Sequence, residues 1–272
     1  MKLYFRPSVT VTCIILALLM VRASFWQWDR YVKKKTFIIE LGERVKMTPL
    51  SEEQLMADKD IDSLQYRTAL IKGRYDYKHE LVLRNRSFEG EKGAYILTPL
   101  TLNSNGKSIL VQRGFIPLSL ASKEKRKQFQ GTGDIELKGL IKKSSPRRFL
   151  APADPYNQDN TFIDSVVRVD LEYIQNQIPY KIAPFYLEKM PKGDVAEKMI
   201  STDAGKEELF MVNARVAQGG EIMQPLKSYP APVYDTVVPP GRHLGYVFEW
   251  AAMALGVLLI GLVLQLRRPK KY

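Results

Sequence analysis

The residue in this chain best suited to chemistry is His243. It is one of two histidines, and it stands three residues before an apolar run that opens at Tyr246. On a continuous helix, Tyr246 at +3 and Trp250 at +7 share its face. A neutral imidazole above two aromatic rings at a membrane surface could ligate the iron of a hydrophobic macrocycle. The same spacing describes an interfacial histidine at a helix start beside an aromatic belt, and this commoner arrangement is the default from spacing alone. His79, in Tyr77-Lys78-His79-Glu80 between two strand-like runs, reads as a solvated loop residue.

Other chemistry is sparse. The sequence holds no Gly-x-Ser-x-Gly, His-Glu-x-x-His, Cys-x-x-Cys, Gly-x-Gly-x-x-Gly or Walker-type phosphate loop. Its carboxylates are numerous but scattered, so no acid–base pair stands out. A single cysteine, Cys13, excludes an internal disulfide, and one Cys with two His excludes zinc-finger spacing. The expectation is a protein that is not an enzyme.

The elements that must position His243 are legible in the hydropathy pattern. The 272 residues are 45% hydrophobic and 26% charged, with a net charge of +12, and mean hydropathy is -0.21. Enough apolar residues are present for a packed core, and too few for a polytopic transporter. They concentrate at the two ends. Residues 7–28 form a span-length segment, provided that Arg22 snorkels or faces a partner helix. Trp26 and Trp28 near its end resemble an interfacial belt, which favours an uncleaved anchor over a cleaved signal peptide. Residues 245–266 form a second span, closed by the basic stop Arg267-Arg268-Pro269-Lys270-Lys271. Small residues Ala251, Ala252, Ala254, Gly256 and Gly261 would let it approach the first span closely. Two spans place both termini on one side, and basic tails without acids favour the cytoplasm. Half of the net charge lies in residues 1–28 and 245–272, so it reads as membrane topology and anchoring to the lipid bilayer.

Between the spans, residues 29–244 form one β-rich domain with a Pro-rich linker over 225–240. Strand-like runs cover 66–75, 80–85, 94–102, 108–116, 135–141, 166–169, 184–188 and 211–216. Short helices are expected over 51–56, 119–129 and 170–177, with Ser51 and Asp170 as caps. A hairpin loop falls at Asn103-Ser104-Asn105-Gly106-Lys107 and a second turn at Gly131-Thr132-Gly133-Asp134. The fold class is therefore α+β: a mostly antiparallel, β-rich soluble domain flanked by two transmembrane helices. The basic clusters at 123–127 and 142–148 read as solvated faces. They lack the interleaved aromatics of a stacking platform, so no nucleic-acid partner is expected.

Taken in order, several short motifs resemble those of the Surfeit locus protein 1 family, membrane-anchored assembly factors of cytochrome c oxidase. At the first span they are Trp26-Gln27, Arg30 and Lys34. In the domain they are Gly73-Arg74-Tyr75-Asp76, Gly93-Ala94-Tyr95-Ile96-Leu97-Thr98-Pro99-Leu100 and Val111-Gln112-Arg113-Gly114-Phe115-Ile116-Pro117. At the second span they are His243-Leu244-Gly245-Tyr246 and Trp250. The chain departs from the family pattern at Gly241, Arg242, Glu249 and Ala251.

The resemblance implies assistance in haem a insertion, or stabilisation of the oxidase catalytic subunit while its cofactors load. It implies His243 as axial ligand to haem iron, Tyr246 and Trp250 as pocket walls, and Trp26 and Arg30 as contributions from the first span. Arg30 would meet a haem propionate. The implied partners are the cytochrome c oxidase catalytic subunit and other assembly factors. The implied location is the bacterial inner membrane, or the mitochondrial inner membrane in a eukaryote. The rival is a membrane-tethered adaptor or scaffold with no haem role. In the domain motifs, Gly93 and Gly114 suit turns or bulges, and Pro99 and Pro117 suit strand ends. Arg113 would pair with a buried carboxylate or face the oxidase.

Overall fold

The computed structural model describes residues 5–58, 60–88, 90–154, 162–190, 229–231 and 240–266. The expected strand at 211–216, most of the Pro-rich 225–240 segment and the basic stop after Leu266 lie outside these residues. The chain divides into two compact units. One contains the first helix up to Glu40 together with the last helix, and the other begins at Leu41 and contains the sheet.

The first helix, α1, runs without a break from Pro7 to Lys46, so it continues well past the Trp26/Trp28 belt. The last, α6, covers Gly241–Leu266. Both are long and apolar enough to cross a membrane. Their contacts run antiparallel. Ser24 Oγ donates to the Val247 carbonyl at 3.0 Å, and Gln265 Nε2 donates to Thr10 Oγ1 at 3.0 Å. Between these ends Ala17 and Ala254 are buried, and Gly261 faces Cys13 so closely that a Cβ there would lie 2.8 Å from Sγ. Thr10, Ala17 and Ser24 are seven residues apart, as are Val247, Ala254 and Gly261. Small side chains at that interval form a narrow seam on each helix and let the backbones approach.

The second unit is built on seven strands: β1 Thr68–Tyr75, β2 Leu81–Phe88, β3 Glu91–Leu102, β4 Ser108–Pro117, β5 Ile135–Lys143, β6 Ser165–Val166 and β7 Ile182–Lys189. Five of them close a barrel in the order β1-β5-β7-β4-β3 and back to β1, while β2 and β6 extend the sheet beyond β3. The β4–β7 and β2–β6 pairs are parallel and the remainder antiparallel. Closure occurs at Gly73, which pairs with Ile135 on one side and Leu102 on the other. A Cβ at this position would lie 2.2 Å from the Thr101 carbonyl, so only glycine fits the seam.

The apolar residues form two cores. Ile71, Leu100, Leu102, Ile109, Val111, Leu137 and Leu187 belong to one, joined by Leu55 of α2 (Glu52–Ala57) and Leu64 of α3 (Ile61–Leu64). Leu81, Leu97, Leu110, Phe115 and Tyr186 belong to the other, joined by Leu171 and Ile174 of α5 (Leu171–Gln175). Residues 109, 110 and 111 alternate between the cores, as successive side chains of a strand must. β4 is accordingly buried along its whole length.

Local signals set the helix starts. Ser51 and Gln54 form a reciprocal capping box, and Asp170 caps α5. The region expected as one helix over 119–129 is instead a 3₁₀ turn at Leu118–Leu120, α4 at Lys123–Arg126 and a second 3₁₀ turn at Lys127–Phe129. The Ala121 carbonyl accepts from Arg126 Nη1 at 2.5 Å, so an inward-turned side chain takes up backbone that a longer helix would have used. Pro99 also departs from expectation, because it lies inside β3 and not at its end. The neighbour of β3 changes there from β2, last paired at Leu97, to β1, first paired at Leu100. A residue without an N–H is tolerated at that break.

Candidate functional site

The histidine singled out by its spacing lies on the first turn of α6, and its principal contact comes from α1. Nδ1 of His243 lies 2.7 Å from Gln27 Oε1. Gln27 is buried despite its amide, as a polar side chain with a partner can be. An amide oxygen facing Nδ1 makes that nitrogen the protonated one and leaves the imidazole lone pair on Nε2. Nε2 is itself buried and has no hydrogen-bond partner among the described residues. An oriented imidazole with one nitrogen bonded and the other free is the arrangement that metal-ligating histidines adopt.

Arg30 and Lys34 are the charges that bear on this imidazole. Gln27, Arg30 and Lys34 fall at i, i+3 and i+7, so one face of α1 presents all three. Arg30 also lies over the Trp26 ring, 5.4 Å from its centroid. Trp26 and Tyr246 are exposed, and Trp250 is half-buried. No ring contact joins His243 to Tyr246 or Trp250 among the described residues. The structure thus groups His243 with Gln27, Arg30 and Lys34, and pairs Trp26 with Arg30. Gln27 and Lys34 carried a signal in the sequence, because both belong to the motif at the end of the first span.

Were a haem held here, Nε2 would be the group available to its iron, and Arg30 with Lys34 the groups available to its propionate carboxylates. Nε2 is covered by neighbouring side chains, so a haem could reach it only if they moved aside.

The barrel unit holds a second polar constellation, in which Arg113 takes the first of its two expected roles and pairs with a buried carboxylate. Glu80 is buried and accepts three hydrogen bonds: from Thr98 Oγ1 at 3.0 Å, Arg113 Nη1 at 2.9 Å and Arg126 Nε at 3.1 Å. Arg126 continues to Asp164 at 2.7 Å, so two arginines balance two carboxylates. Arg113 reaches Glu80 through a β-bulge, since Ile96 pairs with Gly114 and Leu97 with Gln112, leaving Arg113 as the extra residue. Gly114 adopts φ 135°, a conformation that suits glycine, and the bulge re-aims the side chain. The Arg113 guanidinium also lies 4.9 Å from the Tyr75 ring centroid and 5.3 Å from that of Tyr77. Burial, against the pull of Arg113, pushes the Tyr75 hydroxyl pKa up.

Arg126, expected on a solvated basic face, is instead 2% exposed. His79, expected as a solvated loop residue, has a side chain only 11% exposed, with Nδ1 2.6 Å from Asp76 Oδ2. Phe162 and Tyr180 meet its ring edge-on, and the Tyr180 hydroxyl donates to the same Asp76 oxygen at 2.5 Å. Burial alone would raise the Asp76 pKa. The hydrogen bonds from His79 and Tyr180 outweigh it and hold the carboxyl below its usual range.

A cleft of about 710 Å³ borders the Glu80 network, with Arg84, Arg86, Lys92 and Lys123 around it and Asp164 as the one carboxylate among its lining residues. Among the described residues, no second carboxylate faces Asp164 across it.

Comparison with known proteins gives the chain its relatives. It is 31% identical to Surfeit locus protein 1 of Rattus norvegicus over 142 residues, covering 47% of this chain and 45% of the rat protein. It is 31% identical to the Homo sapiens protein of the same name over 143 residues, covering 47% of each. The chain therefore spans about half the length of these relatives. A SURF1-like protein of Rickettsia bellii is 28% identical over 259 residues, covering 94% of this chain and 88% of the relative. The sequence model described as the SURF1 family matches residues 14–255. With that match extending from one apolar helix to the other, the chain belongs to the SURF1 family.

Proposed function

We propose that this membrane protein is a non-enzymatic assembly factor for cytochrome c oxidase, and that it holds haem a at the membrane surface until the catalytic subunit accepts it. The observation that carries the haem role is Nε2 of His243, which has no hydrogen-bond partner among the described residues, with Nδ1 engaged by Gln27. Family membership and the ordered motifs support the oxidase as client. Gln27 orients the imidazole, Arg30 and Lys34 attract the propionates, and Trp26, Tyr246 and Trp250 offer aromatic surface to the macrocycle. A bound haem would supply a redox-active iron, which His243 would hold while the paired helices shield it from water.

The proposed setting is the inner membrane of a bacterium, with both termini cytoplasmic and the barrel unit on the opposite side. The partners proposed are the oxidase catalytic subunit and other assembly factors. One observation favours a second reading, an adaptor that binds a client protein and no haem: His243 Nε2 is closed off in the structure. A visible spectrum separates the two readings. Full-length protein co-produced with haem a biosynthesis should purify with a Soret band that His243→Ala removes. Protein that takes up no haem under those conditions would leave the adaptor.

A further inference from the structure

The segment joining β5 to β6 ends in the most exposed large apolar side chains among the described residues. Phe149 is 93% exposed and Leu150 86%, while no other exceeds 70%. Both stand at a turn, and Leu150 has φ 68°. That left-handed conformation is unusual for a leucine, and it turns the chain sharply at the tip.

This exposure does not come from a loose strand of chain. Before the tip, the Ser145 N–H donates to the Val169 carbonyl at 2.7 Å, and Ser144 Oγ accepts from the Leu171 N–H at 3.0 Å. After it, Arg168 pairs with Asp154 and donates to the Pro152 carbonyl, while the Val167 N–H donates to Asp154 at 3.2 Å. Across the tip, the Ala151 N–H donates to the Arg148 carbonyl at 3.0 Å, and Arg147 Nε donates to the Ala151 carbonyl at 2.9 Å. Both limbs are strapped to the body of the unit, and two large apolar groups are held in water between them. Such a surface acquires its function by being covered.

We propose that the tip is a membrane-interface anchor. Phe149 and Leu150 insert among the headgroups and upper acyl chains of an anionic bilayer, and Arg147 and Arg148 engage lipid phosphates beside them. Three features select a lipid surface over a protein groove. The tip is convex and two residues wide, a shape that a fluid bilayer accepts without a matching cavity. Its neighbours are guanidinium groups, which suit phosphate oxygens, and Arg148 has no carboxylate partner among the described residues. The chain also joins this unit to an apolar, span-length helix on either side, so a bilayer is always at high effective concentration.

The test uses the full-length protein in a Cys13→Ser background, with Phe149→Cys or Leu150→Cys carrying an environment-sensitive fluorophore. Both positions are exposed, and retention of the wild-type melting temperature confirms the fold. In nanodiscs containing phosphatidylglycerol, emission should shift to the blue and be quenched by lipids spin-labelled near the headgroup. Both effects should fall in phosphatidylcholine alone and in the Arg147→Glu/Arg148→Glu variant. Water-like emission without lipid quenching in both compositions would overturn the proposal. So would a blue shift that appears only when a purified partner protein is added, because that would assign the tip to a protein groove.

Discussion

Gln27 Oε1 and His243 Nδ1 lie 2.7 Å apart although 216 positions separate them in the chain. The contact ties the motif at the end of the first span to the histidine at the start of the second. It predicts a graded response to mutation. On the proposed haem role, His243→Ala should abolish the Soret band of protein purified with haem, whereas Gln27→Leu should weaken haem retention by about 10–100-fold, the usual cost of losing a partner behind a metal ligand. Haem-to-protein ratios across a dilution series measure both, and equal retention in Gln27→Leu would remove Gln27 from the site.

The seam between the helices makes a second prediction. A Cβ built at Gly261 lies 3.1 Å from Cys13 Cβ, close to the roughly 3.5–4.5 Å of a disulfide. Gly261→Cys should therefore cross-link to Cys13 within one chain under mild oxidation. A peptide map of the oxidised protein would show the linked fragments, and adding Cys13→Ser should remove them. Cross-links formed only between chains would contradict the antiparallel pairing described.

Glu80 should be among the costliest polar residues to alter in the barrel unit. Glu80→Gln leaves Arg113 and Arg126 buried without their shared carboxylate. Breaking a buried pair in this way costs about 3–5 kcal/mol. Thermal melting of the full-length protein in detergent should show a marked fall in Tm, and an unchanged Tm would place the network's charges in water.

Asp76 confers a pH dependence whose sign follows from its partners. Its carboxyl titrates lower in the folded protein than in the unfolded chain, because His79 and Tyr180 hydrogen-bond to it. The carboxylate therefore contributes stability above the ordinary aspartate pKa of about 3.9. That contribution is lost as pH falls through the lower folded value. The wild-type protein should melt higher than Asp76→Asn near neutral pH, and the gap should close on acidification below about pH 4. A gap that persisted unchanged to low pH would mean that the ionised carboxylate is not the stabilising form.

Short-range patterns in the sequence were enough to locate the described strands of the barrel unit, the two capped helices and both long apolar helices, though not that the first runs on to Lys46. The run expected at 108–116 is β4 at Ser108–Pro117, and Ser51 caps the helix that begins at Glu52. These features depend on neighbours within one or two turns, so hydropathy period and cap chemistry report them. Of the turn or bulge expected at Gly114, the structure shows a bulge, since the glycine itself permits the backbone conformation.

The sequence by itself determined the two apolar helices, the alternating strands between them and the histidine at the start of the second apolar segment. Only the tertiary structure decided that Gln27 faces that histidine, that Gly73 closes a barrel, and that Arg113 and Arg126 converge on Glu80. It alone showed His79 packed against Tyr180, a residue whose hydroxyl reaches Asp76 across 104 positions. The physical reason is range. A local pattern says which face of an element is apolar, whereas the burial of a charge depends on a partner brought in from elsewhere. An arginine or histidine in a polar stretch looks solvated until the fold supplies the carboxylate that draws it inside.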